Sequence, residues 1–578
     1  MRKLASLLLP YLIIFLLLLS IFWFVLHGYN LNFKLPSFYS SDALFNAVNT
    51  KTMIDTGWYL TNPSLAYPQV FELYDYPTLD NFSYFIQKLL ILGSSNPFTI
   101  IHLFYLLTYP LNAFAAMYVY KKLGLSSIYA VSAAVLFSIL PYHFFRNEIH
   151  LYLSLYFSIP IWFMLAFSLF NEEPFLPYKN PYGYRLALLL LLFVIVNSGV
   201  YYTFFGLFYI LLAGMMAACF HQHWKPFLRS VGIISLSGVI ALISLTPNFI
   251  YTYTHGKDHA VAQRGFAESE VFGLKMTQLL LPIENHRIPS LAEMRKRYDK
   301  ESAQVLPLQN NENISASLGT LGSLGFLFSL SLVLLQCTRK TTTQLYRAAL
   351  FNLSGFVLAT IAGLGTLIGM FLVPDIRAYN RISVFLGFLS LFVFFKVLST
   401  LCQKYNCKPR TMILISGLCV AFGIFDQTTT TDTYPKTSPI QADFQSDQVF
   451  VKQIEATLPA NSAVFELPYF AFPETPPLNK LYDYELFRPY LHSNKLQWSY
   501  GSMKGRPIAT WQATTADLPV PQMISTLRKA GFAGVMIDHN GYTDNAALLE
   551  HVLGQYLHER PLLSPNGQLS FFSLKVNS

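Results

Sequence analysis

Eleven long apolar stretches recur along this chain, and they constrain its fold more than any other feature. A bilayer core of about 30 Å is crossed by roughly 20 helical residues rising 1.5 Å each. The stretches that meet or approach that length are Leu4–Leu26, Pro97–Tyr120, Ser126–Phe144, Ile149–Leu169, Leu186–Ser198, Val200–Phe220, Val231–Tyr251, Ser317–Gln336, Ala348–Val373, Ile382–Leu401 and Met412–Phe425. The fifth and sixth form one run interrupted by Asn197-Ser198-Gly199, too long for a single crossing, and are read as a pair of helices. The first follows Arg2-Lys3 and continues through Phe22-Trp23-Phe24, with no small-residue cleavage site, so it is expected to stay as an anchor.

Composition agrees. Only 12% of the 578 residues are charged, against roughly 25% in a soluble domain. That leaves too little polar surface to coat several water-soluble units. The five cysteines lie in or beside apolar stretches, so neither a disulfide framework nor a zinc framework is expected. From Gln427 onward there are 11 Lys/Arg against 13 Asp/Glu, and the first 426 residues hold the whole basic excess. A basic membrane part with a slightly acidic tail fits positively charged inner loops and gives no sign of a nucleic-acid partner.

Charge also sets the expected orientation. With the N-terminus inside, the inner loops carry Arg2/Lys3, Lys121/Lys122, Lys179/Arg185, Lys225/Arg229, Arg339/Lys340/Arg347 and Lys404/Lys408/Arg410, opposed only by Glu172 and Glu173. Merging the fifth and sixth stretches would place the later basic loops outside, against the positive-inside rule. Two long loops, residues 28–96 and 252–316, then lie outside. So does the tail, 427–578, joined through the Thr-rich linker Thr428–Thr431. The tail combines a helical pattern (Phe450, Ile454, Leu458) with strand-like runs at Ser462–Leu467, Gly534–Ile537 and Leu569–Leu574, which predicts an α/β domain. The expected fold is a polytopic α-helical membrane protein, with residues 1–426 as the transmembrane module and 427–578 as an extracytoplasmic α/β domain.

The spans are nearly free of charge apart from Lys396, and no Walker, Gly-x-Ser-x-Gly or His-Glu-x-x-His motif occurs. Ionisable residues gather instead on the outer face: Asp42, Asp55, Glu72, Asp75 and Asp80 in the first loop; His143, Arg146, Glu148 and His150 between the third and fourth spans; His286 in the second long loop; Arg377 and Arg381 before the tenth span. A carboxylate there can serve as a general base, and Arg and His can hold an anionic phosphate. Plainer readings stay open at this stage. Asp42 could cap a helix, Arg146 and Glu148 could form an ion pair, and Arg377 and Arg381 could anchor to lipid head groups.

The layout of a first span, an outer loop with an early acid, about a dozen spans and an outer tail resembles the GT-C superfamily of integral-membrane glycosyltransferases. It is also similar to uncharacterised bacterial YfhO-like membrane proteins. The stretches that carry the likeness are Ser41–Pro68, Leu140–Leu151, Gly273–Arg287, Asn311–Gly325, Ile376–Ser383 and Tyr482–Arg506. The resemblance implies transfer of a sugar from a polyprenyl-phosphate donor to an envelope glycan or glycolipid acceptor at the extracytoplasmic face of the inner (plasma) membrane. Asp42 matches the family's catalytic carboxylate, which deprotonates the acceptor hydroxyl in an inverting displacement. Many members have paired acids at this point, whereas here Ser41 stands beside Asp42, which weakens the case for a metal-binding pair. The metal question stays open, and a divalent cation is the one cofactor the likeness admits. Donor-phosphate candidates are Arg377 and Arg381, then Arg146, His143 and His286, with Asp75, Asp80 and Glu148 as further acids. Tyr482, Arg488, His492, Trp498 and Tyr500 suit acceptor recognition, and equally a packed interdomain loop. The rival functions are a glycolipid flippase or transporter, and a non-catalytic polysaccharide-assembly protein. A further one is an enzyme that transfers another group, such as phosphoglycerol.

Overall fold

The computed structural model describes residues 2–177, 180–305, 312–336, 343–429 and 439–574. Lys179, Asn311, Arg339, Lys340, Thr430 and Thr431 lie outside them. Among the described residues, seven helical segments are long and apolar enough to cross a membrane: Leu8–Val25, Pro97–Lys122, Ser127–Arg146, Val200–His221, Lys225–Ser244, Tyr379–Lys404 and Pro409–Gln427. Ser158–Phe170, Pro181–Val196 and Gly319–Leu335 are shorter apolar helices. The chain is a membrane protein.

Local chemistry explains where these helices begin. Asn96 accepts a hydrogen bond from Thr99 N at 2.9 Å, and Pro97 supplies a pre-set first helical residue, so the segment Pro97–Lys122 starts there. The Asn197-Ser198-Gly199 interruption does separate two helices. Gly199 adopts φ +115°, which a side chain would resist, and its N–H donates to Leu79 O at 3.1 Å.

Several expected spans differ from the structure, two of them in ways that shape the site. Ala348–Val373 is split into the helices Gln344–Ala359 and Leu364–Phe371. The chain between them pairs with Leu274, whose N–H donates to Ala359 O at 2.7 Å and whose carbonyl accepts from Ile361 N at 3.3 Å. That backbone pairing, with Ala362 at φ +55°, interrupts an otherwise continuous apolar run. In the Ile149–Leu169 run the α-helix begins only at Ser158, after a short 3-10 turn at Leu151–Ser154. Residues 149–153, partly in that 3-10 turn, line a polar cavity, where apolar content alone reads as more α-helix.

Burial orders the bundle. About four-fifths (78%) of the best apolar window is buried in the Ser127–Arg146 and Tyr379–Lys404 segments, against 17% for Leu8–Val25 and 22% for Lys225–Ser244 and for Pro409–Gln427. The first two are therefore central, and the last three present their apolar faces outward. Close approach inside the bundle uses small residues, as expected where lipid gives no hydrophobic drive between helices. Gly325 meets the Ser390 backbone and Gly206 meets the Trp162 ring. Asn352 Nδ2 donates to Ser329 Oγ (2.9 Å) and Ser390 Oγ (3.2 Å), tying three helices together.

The tail carries a five-stranded mixed sheet. Its strands follow β1 (Thr61–Asn62) and β2 (Phe71–Glu72), an antiparallel pair in the first loop. They are β3 (Ala463–Leu467), β4 (Gln497–Trp498), β5 (Phe532–Asp538), β6 (Leu562–Leu563) and β7 (Leu569–Ser573), in the order β4-β3-β5-β7-β6. The β4/β3 and β3/β5 pairs are parallel, and the remaining pairs are antiparallel. One side of the sheet has its own small core, with Phe465, Ile524, Leu527 and Val535. The other side merges into the apolar core shared with the first loop and the bundle. The first loop even extends the sheet: Trp498 N donates to Ser64 O (2.9 Å), and Tyr67 N donates to Trp498 O (3.0 Å).

Candidate functional site

The first loop turns sharply into the helix Ser41–Thr56, and Asp42 lies in its first turn. Ser41 takes φ +53°, a left-handed conformation uncommon for a residue with a β-carbon and often found beside functional groups. Ser40 holds the N-cap position and Asp42 stands in the first turn, so Asp42 is not the capping residue. Its carboxylate lines a cavity of about 320 Å³ together with Arg377, Arg381, Glu312, Glu474 and Asp80. The side chain keeps 46% of its exposure because the cavity opens above it. Protein nonetheless surrounds the cleft, and this burial, assisted by the nearby Glu474 and Glu312 charges and opposed by Arg381, raises its pKa to about 6. His150 Nε2 stands 3.9 Å from Asp42 Oδ2. Burial, with Arg146 and Arg381 adding to it, lowers that imidazole to about 3, so it faces the carboxylate as a neutral ring.

The guanidinia around Asp42 are held by a lattice of carboxylates. Glu312 accepts from Arg146 Nη1 at 2.8 Å and from Arg381 Nη2 at 3.2 Å. Arg377 Nη1 donates to Glu268 at 2.6 Å, and Arg264 donates to Glu474 at 2.5 Å. Tyr76 adds its hydroxyl to Glu474 at 2.9 Å. Arg381 also lies 4.3 Å over the Tyr201 ring, and Arg377 lies 5.0 Å over Phe272. Such cation–π and ion-pair clamps fix the planes of the guanidinia and hold them in place before any ligand arrives.

The structure thus brings Asp42, Arg377, Arg381 and Asp80 to one cavity, with Arg146 behind it through Glu312. It places the other candidates elsewhere. His143 is fully buried in the bundle, stacked on Tyr109 at 3.9 Å and 3.0 Å from Thr108 Oγ1. His286 lies 3.4 Å from Asp426, and Glu148 lies 2.8 Å from His102 Nδ1, so Arg146 and Glu148 do not pair with each other. Asp75 is gripped by Arg506 at 2.5 and 2.7 Å. In the tail, Arg488 donates to Glu485 (2.7 Å) and to Tyr39 O (3.0 Å), and His492 Nε2 is 2.9 Å from the Tyr39 hydroxyl. Trp498 and Tyr500 are core residues, and Tyr482 is exposed. Glu312, Glu474, Tyr76 and Tyr484 carry no local signal marking them for the site, and Arg264 is one of many ionisable residues in the second long loop. Glu312 does lie in the Asn311–Gly325 stretch, where an acid between two asparagines was the only cue.

A second cavity, of about 450 Å³, opens on the other side of Asp42. Its wall comes from the loop residues 260–264 and from the tail, with Thr475, Asp483 and Lys504. Burial, with Asp42 and Glu474 adding to it, raises Asp483 to about 7. Asp42, Arg264, Arg377, Glu474 and Tyr484 border both cavities.

No family model and no curated protein matches the sequence. Among solved structures, the apo Archaeoglobus fulgidus oligosaccharyltransferase is similar over 99% of this chain and 74% of its own, at 12% identity and a TM-score of 0.50. The chain has the GT-C fold. Cupriavidus metallidurans ArnT bound to undecaprenyl phosphate overlaps 99% of both chains at 12% identity and TM-score 0.42. The mycobacterial arabinofuranosyltransferase AftD overlaps 100% of this chain and 42% of its own at 12% identity and TM-score 0.48. The archaeal enzyme has also been solved with Zn and sulfate. Among the described residues no three His, Cys, Asp or Glu side chains converge as metal ligands, and Glu312 and Glu474, whose charges act on Asp42, accept from guanidinia.

Proposed function

We propose that this protein is a glycosyltransferase that moves a sugar from a polyprenyl-phosphate-linked donor to an envelope glycan or glycolipid acceptor. On this reading the reaction takes place on the extracytoplasmic face of the inner (plasma) membrane, with the N-terminus cytoplasmic and the tail outside. The observation that carries the reading is the position of Asp42. It is a carboxylate poised near neutrality at the junction of two cavities, opposite two preset guanidinia. The GT-C fold supports the same assignment.

In the mechanism this implies, the donor phosphate lies against Arg377 and Arg381, and the acceptor hydroxyl enters from the cavity lined by Asp483 and Lys504. Asp42 removes the hydroxyl proton as the acceptor oxygen attacks the anomeric carbon. The bond from that carbon to the phosphate oxygen breaks, and the electron pair leaves with the polyprenyl phosphate. The guanidinia stabilise the charge that develops on the leaving phosphate, which is where preorganised donors contribute most. A base with a pKa near 6 is largely ionised at pH 7 and still basic enough to assist.

The test follows release of polyprenyl phosphate by detergent-purified protein from a panel of polyprenyl-phosphate sugars, comparing wild type with Asp42→Asn. Turnover by wild type that falls at least ~100-fold in a folded Asp42→Asn variant is the expected result. Equal turnover in both would remove Asp42 from the mechanism, and no turnover with any donor would favour transport or a non-catalytic assembly role.

A further inference from the structure

The cavity beside Asp42 has a second end that the phosphate and base assignments leave unused. There Asp80 stands at the head of the helix Asn81–Ile91. One of its oxygens, Oδ2, accepts from the Thr78 hydroxyl. Among the described residues no donor reaches the other, Oδ1. Gly199, at φ +115°, lies beside that oxygen: a β-carbon there would stand in ordinary contact, 3.6 Å from Oδ1 and 3.4 Å from the Tyr202 ring. Gly199 is held in place by its bond to Leu79 O, and Phe82 N donates to Asn197 O at 2.9 Å, so the helix break and the Asp80 turn form one rigid corner. Aromatic rings form the wall around it. Tyr59 and Tyr84 stack at 3.7 Å, and Tyr152 packs on Tyr84 at 4.9 Å.

An open carboxylate oxygen among aromatic rings is a poor place for an anion and a good one for a group rich in hydroxyl or ammonium donors. Charge-assisted hydrogen bonds to such a carboxylate are about twice as strong as neutral ones. The aromatic wall provides the apolar contact that small-molecule sites generally combine with a few aimed polar groups. Charge points the same way: four carboxylates and three guanidinia already line the cavity before a donor phosphate adds its own negative charge. The Arg381 charge also acts on both Asp42 and Asp80, which places the phosphate-binding guanidinium within electrostatic reach of each.

We infer that the Asp80 end of the cavity is the subsite for the transferred group, and that this group is a sugar bearing hydrogen-bond donors and no negative charge. This rests on the transferase reading above and narrows it: uronic acids and phosphoglycerol are disfavoured as cargo. Asp80 determines specificity and takes no proton from the acceptor.

Binding of four ligands to the full chain in detergent tests this by competition: bare polyprenyl phosphate, and the same carrier bearing a neutral sugar, an amino sugar or a uronic acid. Wild type should bind the neutral or the amino-sugar carrier at least ten-fold more tightly than the bare carrier, and the uronic acid carrier less tightly than the neutral one. The two arms show whether hydroxyl or ammonium is the favoured donor. Asp80→Asn should erase most of that preference while leaving affinity for the bare carrier within two-fold. Thr78→Val, which removes the hydroxyl bonds to the Asp80 carboxylate and from its N–H, should reduce it in the same direction. The inference is overturned if wild type shows no preference, if Asp80→Asn keeps it, or if the bare and glycosylated carriers weaken together. Asp42→Asn separates the two readings. It should keep the binding preference while losing turnover, and a variant that kept turnover would refute the base assignment without touching the subsite.

Discussion

Arg381 grips Glu312 along the edge of its guanidinium, with Nη2 3.2 Å from Oε1 and Nε 3.3 Å from Oε2, while Arg146 Nη1 donates to the same carboxylate at 2.8 Å. Burial alone would raise the Glu312 pKa, but Arg381 and Arg146 overcome it and hold the carboxyl well below the usual range. A depressed carboxyl contributes stability at every pH above its unfolded value, and that contribution is lost only as pH falls through the folded one. Glu312 therefore stays ionised at all working pH values. Replacing it by Gln leaves two enclosed guanidinia facing each other without their counter-charge. Glu312→Gln should cost about 3 kcal/mol or more, read as a lower unfolding midpoint in detergent, and should weaken donor binding because Arg381 loses its fixed plane.

The pH dependence of turnover should report Asp42. Its pKa is raised, so the base form is present above about 6 and lost below it. kcat/KM should climb with pH through about 6 and level off above 7. Asp42→Asn should remove that limb together with at least ~100-fold of activity. The ionised carboxylate is disfavoured in the folded state; this penalty is full above its folded pKa and fades as pH falls from there toward the unfolded value. Asp42→Asn should accordingly be slightly more heat-stable than wild type at pH 7.5, and the gain should shrink as pH falls below about 6 and vanish only near the ordinary carboxylate value. Loss of stability at pH 7.5 would contradict the raised pKa.

Much of this site was legible in the sequence, and the limits have physical causes. Asp42, Arg377 and Arg381 could be found because each follows or precedes an apolar run at a computable distance from the membrane. What local pattern cannot reveal is pairing. Asp75, Glu148 and Asp80 look alike in sequence, yet Asp75 is locked by Arg506, Glu148 lies against His102, and Asp80 keeps an oxygen open. His102 sits inside an apolar helix and Arg506 more than 400 positions from Asp75, so only the fold brings the partners together. The split of the Ala348–Val373 run likewise follows from backbone pairing with Leu274, which hydropathy does not register.

Arg377 should act on donor binding more than on the chemical step. Its clamp to Glu268 at 2.6 Å and its position over Phe272 present one edge to the cavity. A lysine keeps the charge but cannot reproduce the planar fork. Arg377→Lys should raise KM for the donor on the order of ten-fold, as expected for loss of a charge-assisted hydrogen bond worth ~1.5 kcal/mol. Arg377→Ala should raise it further. A change confined to kcat would argue that Arg377 does not touch the ground-state phosphate.

Arg506 ties three parts of the chain together. It donates to Asp75 at 2.5 and 2.7 Å, to His255 O at 2.8 Å and to Gly256 O at 3.0 Å. Arg506→Met should leave Asp75 unpaired and release the loop near residue 256 from the tail, costing about 3 kcal/mol. Hydrogen exchange should rise in residues 71–76 and 254–258 while the central helices stay protected. Uniform exchange across the bundle would instead mean that the clamp supports the whole fold.

Gly325 tests the bundle itself. A β-carbon added there would collide with the Ser390 backbone carbonyl, in a helix that lies in the most buried part of the bundle. Backbone atoms cannot step aside as a flexible side chain does, so the helices Gly319–Gln336 and Ser383–Lys404 would have to move apart. That movement would also strain the Asn352 bonds to Ser329 and Ser390, which depend on the same spacing. Overpacking of this kind costs typically 1–3 kcal/mol and more when backbone must shift. Gly325→Ala should therefore unfold at a clearly lower temperature than Gly417→Ala, whose added methyl meets nothing within 4 Å. Arg381 belongs to the turn that leads into the second of these helices, so the displacement should also reach the site and weaken donor binding. Equal melting of the two variants would show that the helices pack less closely at this point than their small residues indicate.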